Sequence, residues 1–321
     1  MARRSARAGV AGRGLRRRRD AHPLRGERDT AAARGGPRSP RCGGLIPVRK
    51  LDAVGAESLR WYRPEAEDSS AGPTLLWLHG GGFFRGSPAQ PEAHDVARVL
   101  ADQGVRVVTA AYRLAPFPGT GPLRRRPGGP AEQPERFRLP LEDVTAAARA
   151  VSAQSPEGIV LGGASAGACL AAAAALHAVD DGTPPVGAVF AYGFFHAARP
   201  RESDPAHRSR GHRRITHAPW ALDVANRNHA GTRRALVHRY AFPGGHDLTG
   251  FPPTLVVNAE RDTMRTSGDR FAAELAAAGA DVERHVLPGS AHAFLNRPGL
   301  PAFTTGTALI AEWMRRRPTP A

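Results

Sequence analysis

Four short stretches hold residues whose types and spacing could do chemistry. The first is Gly-Ala-Ser-Ala-Gly at 163–167, where one hydroxyl stands between the apolar run Ile159–Leu161 and an alanine-rich segment reaching Val179. Two readings of Ser165 are open: it caps the helix that follows, or it attacks a carbonyl from a sharp strand-to-helix turn. The second stretch is His-Gly-Gly-Gly-Phe-Phe-Arg-Gly at 79–86, after the run Thr74–Leu78. Consecutive glycines clear side chains away, so the amides of Gly81 and Gly82, with that of Ala166 after the serine, could face a developing oxyanion. The third is Asn258–Met264, in which Asp262 could orient an imidazole, with Glu260 and Asp269 as alternative acids. The fourth is Leu287–Leu295, which places His292 among small residues as a candidate general base.

Each stretch immediately follows a strand-like run, and the runs alternate with helix-like segments. Strand patterns fall at 74–79, 105–111, 159–164, 186–192, 254–259 and 281–287, with two alternating edge-type segments before them at 46–52 and 57–64. Helix patterns fall at 89–103, 140–153, 166–179, 267–279 and 303–316. Most of the strand runs are apolar throughout, as in a sheet covered on both faces. The alternation predicts an α/β fold with a mostly parallel central sheet flanked by helices. In such sheets ligands bind beyond the carboxyl ends of the strands, where all four stretches lie.

Two segments interrupt the alternation. Residues 117–138 are rich in Pro, Gly and Arg and read as a long loop; residues 193–250 carry seven histidines and only weak helical signals, and read as an inserted cap. The spacing of His207, His212 and His217 lacks the flanking Cys or acidic residues of a metal site, so neither a metal nor an organic cofactor is expected.

The motifs HGGGFF, YRLAP at 112–116, GASAG, ERD and LPGSAHAF, in that order from about residue 72 to 316, resemble the hormone-sensitive-lipase-like branch of the α/β-hydrolases, the bacterial carboxylesterases and acetyl hydrolases. The resemblance implies an α/β-hydrolase fold with an inserted cap. It assigns Ser165 as nucleophile, His292 as base and Asp262 as acid, and gives the oxyanion amides to Gly81, Gly82 and Ala166. It implies hydrolysis of small carboxylic esters with short acyl groups. An amidase or peptidase using the same triad, and a non-catalytic small-molecule binder, are the alternatives. The chain departs from the family pattern at Ala164, where Asp is usual, at Ala168, where Gly is usual, and at Phe117, where Glu is usual.

Composition bounds the remaining classes. The net charge is +16, and residues 1–43 hold 13 arginines against 3 acidic residues, with no apolar periodicity. That stretch reads as a disordered tail ahead of a catalytic domain at 44–321. No base-reading motif accompanies its arginines, so no nucleic-acid partner is expected. No apolar signal region follows Arg16–Arg19, and Cys42 and Cys169 cannot form a disulfide framework, so a soluble cytoplasmic protein, with no membrane partner and a homodimer as one option, is expected.

Overall fold

The computed structural model describes residues 58–65, 72–118, 135–198, 200 and 218–317. The predicted tail at 1–43 and strand at 46–52 lie outside the described residues, as do His207, His212, His217 and most of the 117–138 loop. All described residues belong to one compact unit spanning 49–321.

Seven strands form one sheet: β1 (Leu59–Tyr62), β2 (Thr74–Leu78), β3 (Val107–Ala110), β4 (Ile159–Ala164), β5 (Gly187–Ala191), β6 (Thr254–Arg261) and β7 (Val282–Ala291). Their order is β1-β3-β2-β4-β5-β6-β7. Among the described residues only the β1–β3 pair is antiparallel; every other neighbouring pair is parallel. The helices are α1 (Pro91–Asp102), α2 (Arg138–Ser152), α3 (Ala166–Asp180), α4 (Pro219–Ala230), α5 (Arg265–Ala277) and α6 (Pro301–Arg315).

The period of two along a strand divides the core. Leu76 and Leu78 of β2 join Leu161 and Phe190 in one apolar cluster with residues of α2, α3 and α5. Leu75 and Trp77 face the other way and join Val160, Val189 and residues of α1 and α6. The central strands are therefore apolar at every position because each face meets a helix layer. Helix α3 is buried along its whole first stretch, Ala166–Leu176. Its alanines let it lie close to the sheet on one side and to other helices on the other.

Two elements differ from the sequence reading. Within the predicted cap, α4 occupies 219–230, where the pattern gave little helical signal. Its ends are well marked, with Pro219 at the start and Gly231 in a positive-φ C-terminal position. Its face is not: buried Leu222, Ala225 and His229 share the helix with exposed Trp220 and Val224, which blurs the apolar stripe. Strand β7 runs on to Ala291, past Pro288 and Gly289, and its pairing with β6 shifts register between Ala259 and Arg261. That irregularity lies just before Asp262 and His292.

Candidate active site

Strand β4 delivers Ser165 into the turn to α3, with φ 54° and ψ −117°. Such backbone is strained for a residue with a Cβ and persists where the surroundings enforce it. Here the Ser165 amide donates to the Ala191 carbonyl at 2.9 Å, and the Ser165 carbonyl accepts from the amides of Ala168 and Cys169 at 3.1 and 3.3 Å. The flanking glycines answer a packing demand. A Cβ on Gly167 would stand 2.4 Å from the carbonyl oxygens of both Leu78 and His79, and one on Gly163 would stand 2.6 Å from the Gly167 backbone. The serine side chain makes no capping hydrogen bond to its helix, which removes the helix-cap reading.

The hydroxyl turns instead to His292, with Oγ 3.0 Å from Nε2. On the other side of the ring, Nδ1 lies 2.6 Å from Asp262 Oδ2. A carboxylate can only accept, so Nδ1 carries the hydrogen and Nε2 is left to accept from the serine. Asp262 is fully buried, and its Oδ1 accepts the Met264 amide at 3.0 Å. Ser165 is 7% exposed and His292 4%, which leaves the pair reachable from one side. The alternative acids are engaged elsewhere. Glu260 accepts the Gly289 amide at 2.7 Å, and Asp269 binds Asn258 and Arg284 at 2.8 Å each.

The glycine loop after β2 borders the same cavity as Ser165 and His292. Gly81 has φ 123° and Gly82 φ 63°, and even Phe83 sits at φ 69°. Among the described residues the amides of Gly81, Gly82 and Ala166 donate to no protein acceptor, as an oxyanion site requires. The loop is held from below by His79, whose ring stacks on Tyr112 at 4.3 Å and whose Nδ1 lies 2.8 Å from the Gly80 carbonyl. The Tyr112 hydroxyl donates to the His79 carbonyl at 2.7 Å. Burial pushes the His79 pKa down to about 4, so this imidazole is a neutral support. From the cap side, His229 of α4 stacks on Phe83 with centroids 3.7 Å apart. Burial pushes its pKa down to about 3.

The cavity over the serine measures about 830 Å³ and is mostly apolar, with Phe84, Phe117, Phe194, Trp220 and Met264 among its walls. Phe117, where the family pattern has Glu, packs edge-on against Phe84 at 5.3 Å. No group of three or more metal-ligating side chains occurs among the described residues.

Sequence reasoning missed Glu92. An acid in a helix's first turn ordinarily complements the helix dipole, so nothing in the pattern marks it. In the fold it is buried and points into the loop, its Oε1 accepting the Gly80 amide at 2.8 Å and its Oε2 accepting the Tyr192 hydroxyl at 2.9 Å.

A serine in a sharp turn after β4 of a doubly covered, mostly parallel sheet, with a buried carboxylate after β6 and an imidazole after β7, is the arrangement of the α/β-hydrolase class. The sequence profile described as alpha/beta hydrolase fold matches residues 133–296, and the chain belongs to that family. It is 34% identical over 215 residues to an acetyl-hydrolase of Streptomyces hygroscopicus, covering 66% of this chain and 63% of that protein. In structure it is similar to an esterase of the archaeon Pyrobaculum calidifontis, with a TM-score of 0.67, 28% identity and 80% of each chain covered. It is similar also to a hormone-sensitive lipase from a metagenome library, with a TM-score of 0.64, 26% identity, and 83% of this chain and 88% of that one covered.

Proposed function

We propose that the chain hydrolyses small carboxylic esters through an acyl-enzyme. The observation that carries this reading is the hydrogen-bonded line from Ser165 through His292 to Asp262, opening on an apolar cavity. His292 Nε2 takes the Ser165 proton as Oγ bonds to the ester carbonyl carbon. The carbonyl oxygen becomes an oxyanion within reach of the amides of Gly81, Gly82 and Ala166. The tetrahedral species collapses, the C–O bond to the alcohol breaks, and His292 returns its proton to the departing alkoxide. Water, deprotonated by the same base, then attacks the acyl carbon and frees the serine. Asp262 stays ionised and holds the ring in the tautomer these steps need. The steps call for neither a metal nor an organic cofactor.

The names of the similar proteins, an acetyl-hydrolase and an esterase among them, support an ester over an amide. Short acyl groups are the expected substrates, and the aromatic walls of the cavity favour an apolar group on one side of the ester. Turnover of p-nitrophenyl esters from acetate to octanoate, measured beside Ser165→Ala, tests the reading. Loss of all turnover in that variant, with an unchanged melting curve, is the expected result; persistent turnover would overturn it.

A further inference from the structure

We propose that Glu92 is a positioning residue that ties the glycine loop to the loop carrying His292, so that the amides facing the oxyanion and the general base are set by one carboxylate. This rests on the esterase reading above. The carboxylate is 2% exposed and accepts from three donors: the Gly80 amide at 2.8 Å, Gln90 Nε2 at 2.6 Å and the Tyr192 hydroxyl at 2.9 Å. Its backbone is bound as well, its amide donating to Asn296 Oδ1 at 3.2 Å and its carbonyl accepting from Trp77 Nε1 at 2.7 Å.

The geometry leads from this group to both halves of the chemistry. Gly80 precedes the two glycines whose amides face the cavity, and a Cβ on Gly80 would lie 2.6 Å from Glu92 Oε1, so the contact leaves no slack. Tyr192 packs its ring edge against His292 at 5.0 Å and against Phe294 at 4.8 Å. Asn296 belongs to the short 3-10 turn Phe294–Asn296 that follows His292. Glu92 thus bridges the segments after β2, β5 and β7. Such a buried network is rigid when every member is satisfied, and it loses that rigidity when one is removed.

The charge adds a second effect. Titratable groups facing Glu92 are His292 after β7, Tyr192 after β5, Tyr112 after β3 and, behind Gly80, His79 after β2. Burial holds both tyrosines protonated and His79 neutral. Burial pushes the Glu92 carboxyl above the usual carboxylate range, against the pull of its hydrogen bonds from Tyr192 and the Gly80 amide and of the nearby His292. The imidazolium of the tetrahedral species is the cation that the ionised form of Glu92 attracts.

Glu92→Gln keeps the shape and removes the charge, whereas Glu92→Ala also takes the acceptor from the Gly80 amide and from the Tyr192 O–H. For Glu92→Gln we expect kcat on p-nitrophenyl acetate to fall at least about tenfold, short of the 10²–10³ for losing an oxyanion donor outright. KM should stay within about twofold, and the acid limb of the kcat/KM profile should move to lower pH. For Glu92→Ala we expect faster hydrogen exchange at the amides of residues 80–82 and 294–296, a readout that needs no turnover. Wild-type kcat and an unmoved acid limb in Glu92→Gln, together with unchanged exchange in Glu92→Ala, would overturn the proposal. If wild-type protein turns over no ester, the esterase reading fails while the exchange measurement still decides whether Glu92 ties the loops.

Discussion

Replacing Gly81 and Gly82 separately by alanine asks whether the glycine loop owes its sequence to backbone shape or only to an open cavity. At Gly81 the φ of 123° is one that alanine rarely adopts, and the new Cβ would stand 2.0 Å from the Arg85 carbonyl oxygen and 2.7 Å from its carbon. Those are backbone atoms, and the same Gly81 carbonyl accepts the amides of Phe84 and Arg85, so the turn can relieve the clash only by opening. Backbone strain of this kind costs about 1–3 kcal/mol where it is retained. If the turn opens, an oxyanion donor is withdrawn, at about 2.7–4 kcal/mol or 10²–10³ in kcat. At Gly82 the φ of 63° lies in the left-handed region, and the nearest atoms to the new Cβ belong to the Phe84 ring edge, at 2.9 Å. A phenyl group beside a cavity can rotate away. We therefore expect Gly81→Ala to lower kcat/KM for p-nitrophenyl acetate by at least about 100-fold and Gly82→Ala by less than about tenfold. Melting curves would show whether folding is retained. Equal losses in the two variants, or a Gly81→Ala enzyme with more than a tenth of wild-type kcat/KM, would refute the argument that backbone shape sets the oxyanion amides.

Asp262→Asn should keep the ring in place but invite the wrong tautomer at His292, lowering kcat by roughly 10⁴; a loss under tenfold would mean another group orients the base. Turnover should fall in acid, because His292 must be neutral to accept the serine proton, and a flat profile from pH 5 to 8 would remove it as the base. Stability should also fall in acid for a separate reason. His79 and His229 are held neutral with pKa values near 4 and 3, while an unfolded histidine titrates at 6.5. Below 6.5 the unfolded chain takes up protons that the native chain refuses, so native stability drops as pH falls, and each site's loss levels off at its folded pKa. Each costs on the order of 2 kcal/mol at pH 5. His229→Phe should flatten the change in urea midpoint between pH 7 and 5; an unaltered change would show that His229 protonates freely. Trp220→Ala should change the relative kcat/KM of long and short acyl esters by several-fold without altering acetate turnover, and an unchanged ratio would place the substrate away from α4.

The sequence by itself determined the alternation of strands and helices, and with it the line of strand ends where Ser165, Asp262 and His292 appear. It could do so because apolar periodicity and glycine spacing are local properties of the chain. At Ser165 the fold adds what the sequence left open: the hydroxyl makes no cap and meets an imidazole 127 residues away at 3.0 Å, which supports the proposed nucleophile. The fold likewise supports Asp262 over Glu260 and Asp269, since it brings Asp262 to the His292 ring and engages the other two elsewhere. Helix α4 escaped the pattern because its outer face carries Trp220 and Val224 as well as polar residues. Glu92 was illegible for a related reason. Its partners, Gly80, Tyr192 and Asn296, lie in three separate loops. Only the convergence of strand ends in a parallel sheet turns an ordinary first-turn acid into the buried junction between them.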